Sequence, residues 1–226
     1  WKMDIRTRPL LSTCYAVPLL FFAIMGGIFT AVMPEAGKTL IQSMTVFGVS
    51  MGALIGLPPS LVEIYGGDIK KVYKANGVPL YLGLVLTNLS AFVHLFIMSV
   101  ILYLAAPPVF DAAIPENPGA YFIWLAVFIL VSLSIASMIG LAVKDQAKTS
   151  MVSILVFLPS IMLSGIMFPA ELLPKGLEAA GRIFPAVWGY RLMTESAFQF
   201  ATLLPLLLIL AIAVVVCGIL LRKVSE

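Results

Sequence analysis

Charge is what this sequence is shortest of. Lys, Arg, Asp and Glu make up 11% of its 226 residues, less than half the roughly 25% of an ordinary soluble domain. A soluble chain needs a charged shell around its core, and there is too little charge here to build one. Histidine occurs once, as His94, which excludes a multi-histidine zinc, haem or di-iron site from this chain. The two cysteines, Cys14 and Cys217, lie near opposite ends inside apolar runs. They form no metal-ligand spacing and no disulfide framework, and read as small hydrophobes. No G-x-x-x-x-G-K-[ST] run occurs, so nucleotide binding through a P-loop is excluded, and no G-x-S-x-G run occurs either. No carboxylate falls well inside a long apolar run, which counts against a proton- or sodium-coupled carrier. A net charge of +3 is too small to argue for nucleic acid.

What is present in excess is apolar surface. Hydrophobic residues make up 61% of the chain and the mean hydropathy is +1.07, well above the roughly 45–50% apolar content of soluble domains. The solvent for such a chain is lipid. A charged side chain at mid-span costs about 2.5–3.5 kcal/mol on insertion scales, while each Leu or Ile returns about 0.3–0.6. Charge-free stretches longer than about 18 residues are therefore predicted spans. Six occur, bounded by Arg8 and Glu35, Lys38 and Glu63, Lys74 and Asp111, Glu116 and Lys144, Lys148 and Glu171, and Glu195 and Arg222. They predict an all-α integral membrane protein, one domain over 1–226, with six transmembrane helices near 11–33, 40–58, 79–105, 120–143, 149–168 and 202–221. The chain opens at Trp1 rather than Met, which suggests a segment ahead of it. The first apolar run is too long for a signal-peptide core and lacks a small-residue cleavage site, so it reads as a retained span.

Basic residues set the orientation. Lys2, Arg6 and Arg8, then Lys70, Lys71 and Lys74, then Lys144 and Lys148, then Arg222 and Lys223 all fall on one side of a six-span layout. The other side holds only Lys38, Lys175, Arg182 and Arg191. The positive-inside rule then predicts that both termini are cytoplasmic.

Two connections are longer than a turn. The cytoplasmic one covers 60–78, where Ser60 and Glu63 fit a capping box and Asp68 an N-cap for a short helix over 69–75, stopped by Asn76-Gly77 and Pro79. A solvated basic loop explains the same lysines. The external one covers 168–195. Leu173, Leu177, Ala180 and Phe184 recur there at helical spacing opposite Lys175, Glu178 and Arg182, predicting an interfacial or re-entrant helix with Trp188 and Tyr190 as anchors. Within the spans, Gly48, Gly52 and Gly56 form a small-residue stripe, as do Ser132, Ala136 and Gly140, and Ser160 with Ser164. Such stripes let helix backbones approach, within one subunit or across a dimer. Thr87, Asn88, Ser90 and Ser99 either line a polar path or bond across helices, and His94 sits mid-span, where an ionisable group is a functional candidate by default, although a neutral imidazole bonded to a neighbouring helix is the expected arrangement.

Two stretches carry a family resemblance. The first runs from Glu63 through Gly67, Asp68, Ile69, Lys70, Lys71 and Val72 to Pro79 and Gly83; the second holds Leu158-Pro159, Ser164, Gly165, Phe168, Pro169, Leu172, Leu173, Pro174 and Pro185. They resemble, respectively, the E-x-E-x-G-T-x-K-x-L coupling segment and the S-G-x-x-F-P-x-x-x-L-P ending of span five in permease subunits of ABC transporters of the second type, exporters of drugs, lipids and polysaccharides. Tyr65, Asp68 and Asn76 stand where that family usually has its second acid, a Thr and a Pro. The resemblance implies a cytoplasmic coupling helix between spans two and three, with Ile69 and Val72 inward and the lysines facing acids of a partner. It also implies re-entrant helices between spans five and six, a homodimer or pseudo-dimer in the cell membrane, and a separate cytoplasmic ABC ATPase subunit that binds ATP and Mg. No cofactor is implied for this chain itself, and the cargo implied is hydrophobic or amphipathic. A six-helix secondary carrier or channel, a membrane-embedded enzyme, or a non-transporting assembly subunit are the other readings. Epitope tags at both ends, probed on intact cells, are expected to stay unlabelled until the membrane is permeabilised; labelling of either tag from outside refutes the layout.

Overall fold

The computed structural model describes residues 12–67, 73, 75–167, 172–195 and 199–225, and among these every regular element is helical. A wide π-helical turn at Ser12–Ala16 leads into α1, Val17–Val32. A 3-10 segment, Pro34–Thr39, precedes α2, Leu40–Met51, which passes through a second π-helical turn, Gly52–Gly56, into α3, Leu57–Gly66. Then come α4, Leu80–Phe110, α5, Pro118–Ala142, and α6, Gln146–Met162. Two short helices follow, α7, Lys175–Gly181, and α8, Pro185–Thr194, before α9, Phe200–Ser225. The protein is an all-α integral membrane protein: five helical stretches, Cys14–Val32, Glu35–Gly66, Leu80–Phe110, Pro118–Ala142 and Phe200–Lys223, are long and apolar enough to cross a bilayer. The remaining expected span, the fifth, corresponds to α6, whose 17 residues reach about 26 Å, slightly less than the ~30 Å hydrocarbon core.

Local chemistry accounts for several boundaries. The Asn117 side chain accepts from the Ala120 N–H at 3.0 Å and caps α5, and Asp145 accepts from the Lys148 N–H at 2.8 Å and caps α6. Asp111, at φ 50°, closes α4 by donating its N–H to the Pro107 carbonyl at 2.9 Å. Other boundaries depart from expectation. The second span does not stop near 58 but continues to Gly66. The Ser60–Glu63 pair therefore lies inside a helix and starts none. Pro58 and Pro59 are tolerated there because the carbonyls their rings would strike, of Leu54 and Ile55, belong to the wide turn just before them. The fifth span stops at Met162, short of 168, and passes into a turn at Leu163–Gly165.

Cross-helix contacts order the bundle. Cys14 and Pro18 approach Gly52 and Gly48, and Met98 lies over Gly48, so the 40–66 rod runs antiparallel to both α1 and α4. Thr45 hydrogen-bonds Tyr121 at 2.7 Å, and Leu61 packs on Gly140, so α5 runs parallel to the rod. Leu206 shares a cluster with Val131 and, further along, Cys217 reaches the Ser134 carbonyl at 3.6 Å, which sets α9 parallel to α5. Helix direction alternates along the chain. One end of the bundle holds the 33–39 and 111–117 connections, joined by the Ala113 N–H donating to the Gly37 carbonyl at 3.1 Å. The other holds Gly66 and Lys144.

The rod is the centre of the fold. Of its most apolar stretch 83% is buried, against 22% for the first span and 17% for the last. Lipid is as apolar as leucine, so helices associate through close packing and hydrogen bonds rather than hydrophobic drive. Asn88 and Ser137 exchange hydrogen bonds at 3.0 and 3.1 Å across α4 and α5, an interaction worth about 0.6 kcal/mol on average in such bundles. Thr87 and Ser99 instead bond carbonyls of their own helix. A Cβ at Gly140 would lie 2.8 Å from the Leu61 Cβ and 3.0 Å from the Pro58 carbonyl, whereas one at Gly218 would meet nothing within 4 Å. Gly140→Val is expected to lower stability by about 1–3 kcal/mol through overpacking, and Gly218→Ala to leave it unchanged or raise it, both read as thermal-unfolding midpoints in detergent.

Candidate functional site

Two regions bear on function, one at each end of the rod. At the end shared with Lys144, Glu63 is exposed on the last turn of α3 and Gly67 follows it directly. A side chain at 67 would come 2.8 Å from the Glu63 carbonyl oxygen, so the helix exit there has room for hydrogen alone. Gly66 in turn lies close to the Lys144 carbonyl, its Cβ position 3.4 Å away, which brings the connection after α3 against the one between α5 and α6. Lys144 and Lys148 flank that second connection, and Arg222 and Lys223 occupy the last turn of α9 at the same end. Asp68, Ile69, Lys70, Lys71 and Val72 lie outside the described residues.

Tyr65, in the position of the resembled family's second acid, faces inward. It is 7% exposed and donates its hydroxyl to the Leu80 carbonyl at 2.7 Å. Gly83 makes room for this clamp: a Cβ there would be 3.0 Å from the Tyr73 ring and 3.2 Å from the Tyr65 hydroxyl. Position 65 therefore ties the end of the rod to the start of α4 instead of presenting a group to a partner.

The opposite end carries the external motif. Ser164 donates to the Ile161 carbonyl at 2.7 Å and accepts from the Ile166 N–H at 3.3 Å, and Gly165 turns the chain with φ 87°, a conformation that favours glycine. Phe168 and Pro169 lie outside the described residues. Leu173 is half-buried, Pro174 precedes α7, and Pro185 opens α8. The helix expected from the 173–184 repeat is α7, which is shorter than the repeat, and α8 begins just beyond it. Pro185 holds Phe184 extended, outside either helix, and Leu177 on the expected buried face is 48% exposed. It is α8 that enters the bundle. Gly189 packs on the ring of Phe128, ten residues into α5, or about 15 Å along that helix axis. Trp188 donates to the Arg182 carbonyl at 2.7 Å, tying the two short helices together.

Of the glycine stripe, Gly48 meets Met98 and Pro18, Gly52 meets Leu95 and Cys14, and Gly56 ends the wide turn. Gly48 and Gly52 thus face helices of the same chain. His94 is buried and joined to Tyr15 of the first span at 2.8 Å through Nδ1. Sequence reasoning missed a cavity of about 500 Å³ at the α8 end, between the close of α1, the start of the rod and α8, lined among others by Thr39, Ser43, Tyr190 and Glu195. Its walls come from parts of the chain far apart in sequence: Ser164 and Gly165 carried a signal as motif residues, Tyr190 as an anchor, and Glu35 and Glu195 as span-flanking charges, but nothing in the sequence brought them together.

A family model described as ABC-2 family transporter protein matches residues 69–223. No curated protein matches the chain. Tyr65→Phe is expected to lower the thermal midpoint by the equivalent of about 1 kcal/mol, the usual worth of one hydrogen bond, without changing membrane insertion; an unchanged midpoint removes the clamp.

Proposed function

The chain belongs to the ABC-2 family of transporter proteins, a membrane-spanning ABC transporter subunit, and from that premise we propose that it is the permease of an ATP-driven exporter. On this reading it crosses the cell membrane six times with both termini in the cytoplasm, α6 being the fifth span. It pairs with a second copy and docks a separate cytoplasmic ATPase that binds ATP and Mg. The cargo is hydrophobic or amphipathic, in keeping with a predominantly apolar bundle.

The observation that carries the mechanism is the continuous rod from Leu40 to Gly66, encased by the other helices and emerging at the basic end. Its 60–78 continuation, with Glu63, Gly67, Asp68, Ile69, Lys70, Lys71 and Val72, is the segment an ATPase would grip. Closure of the ATPase pair then pushes on the rod end, and a helix transmits that push over its whole length, about 40 Å. The wide turn before Pro58 and Pro59 is where the rod is softest to bending. Ion pairs between the lysines and acids of a partner are exposed and worth only about 0–1 kcal/mol each, so docking rests on shape and several contacts together. Family membership disfavours the carrier and channel readings.

The test uses permease and ATPase co-purified in nanodiscs, with cargo-stimulated ATP hydrolysis as readout. Gly67→Pro with Asp68→Lys places a proline ring against the Glu63 carbonyl and reverses the charge beside it. Stimulation is expected to fall to the basal rate while the complex stays assembled; stimulation retained at the wild-type level refutes the lever, and absence of any copurifying ATPase refutes the permease reading.

A further inference from the structure

The cavity at the α8 end is large enough for a small molecule, and its chemistry is selective. About 500 Å³ falls within the usual range for ligand sites, about 300–1,000 Å³. Phe29, Met33, Ile166 and Met167 contribute apolar wall, and the polar groups sit among them. Charge decides what such a space accepts. Glu35 is already paired with Lys38 at 2.5 Å, both side chains largely in solvent. The Arg191 guanidinium is turned toward Glu178, 3.8 Å away, and lies over the Trp188 ring. Glu195 is left. Its carboxylate accepts from the Thr202 hydroxyl at 3.0 and 3.3 Å and has no Lys or Arg within ion-pair distance among the described residues. A half-buried carboxylate held only by a hydroxyl is a strong acceptor for a cation.

Ser43 supplies an independent sign. It lines the cavity from the rod, is 3% exposed, and its hydroxyl engages no partner among the described residues. That hydroxyl is open to the cavity, where water or a polar atom of a ligand can partner it. Phe29 and Tyr190 add aromatic rings to the same walls, and ring faces attract organic cations.

We propose that this cavity, within one copy of the chain, binds a monovalent organic cation with an apolar body, the cationic centre at Glu195 and the apolar part against Phe29 and Met33. The site goes beyond the permease reading, since it needs neither a second copy nor an ATPase. Because Ser43 lies in the first turns of the rod and Thr39 directly precedes it, occupancy bears directly on the element proposed to carry the stroke.

The experiment uses the full chain alone in nanodiscs, with tetraphenylphosphonium as probe and tetraphenylborate, near-equal in shape and opposite in charge, as control. Empty nanodiscs correct for partition into lipid. Wild type is expected to bind the cation saturably at one site per chain, and the anion without saturation. Glu195→Gln keeps an acceptor for Thr202 but removes the charge, and is expected to weaken binding about tenfold. Met33→Trp, at a position 40% exposed, fills the space without touching the core and is expected to abolish binding. Cation binding no greater than in empty nanodiscs, equal affinity in Glu195→Gln, or saturable binding of the anion overturns the proposal. With no ATPase present, none of these outcomes depends on whether the coupling lever is correct.

Discussion

A helix that must sit at the centre of a bundle in lipid gains little from being apolar, because the solvent it leaves is apolar too. What holds it is contact at short range and the satisfaction of its few polar groups. The rod from Leu40 to Gly66 meets that demand along its length. Gly48 and Gly52 admit Met98 and Leu95 from α4, Leu61 fills the notch at Gly140 of α5, and Thr45 finds the Tyr121 hydroxyl. Take away the small residues and the neighbours stand off, leaving polar atoms such as Thr45 without partners where no water replaces them.

This central position gives one element access to both ends of the molecule. At the basic end the rod stops at a glycine pair, beside the Lys144 backbone and clamped to α4 through Tyr65. At the other end it forms the floor of a cavity closed by α8. A shift of the rod has consequences at both ends at once, because a well-packed helix moves as a body rather than absorbing strain locally. The wide turn at Gly52–Gly56 with the prolines after it divides the rod into two limbs, and that division is where such a shift can be shared out.

The short helices show how a loop can be structural. α7 stays at the surface with an exposed Leu177, whereas α8, just beyond Pro185, buries Ala186, Val187, Leu192 and Met193 against the long helices. Proline and glycine divide the labour: Pro185 separates the two, and Gly189 lets the second lie flat on Phe128. The family match begins at residue 69 and takes in this region, leaving the first span and the rod outside it.

Read from the residues alone, the greasy stretches and the acids and bases between them were legible, because each is a local preference for lipid or water. The class of the protein followed from these. Three things were not. The rod's continuation through Pro58 and Pro59 depends on a change of helical pitch that packing imposes. The inward turn of Tyr65 depends on a carbonyl fifteen residues away. The cavity draws its walls from three separated parts of the chain. Local sequence determined which segments leave water; the tertiary structure alone decided which of them meet, because in lipid that choice rests on interlocking shapes and paired polar atoms rather than on hydrophobicity.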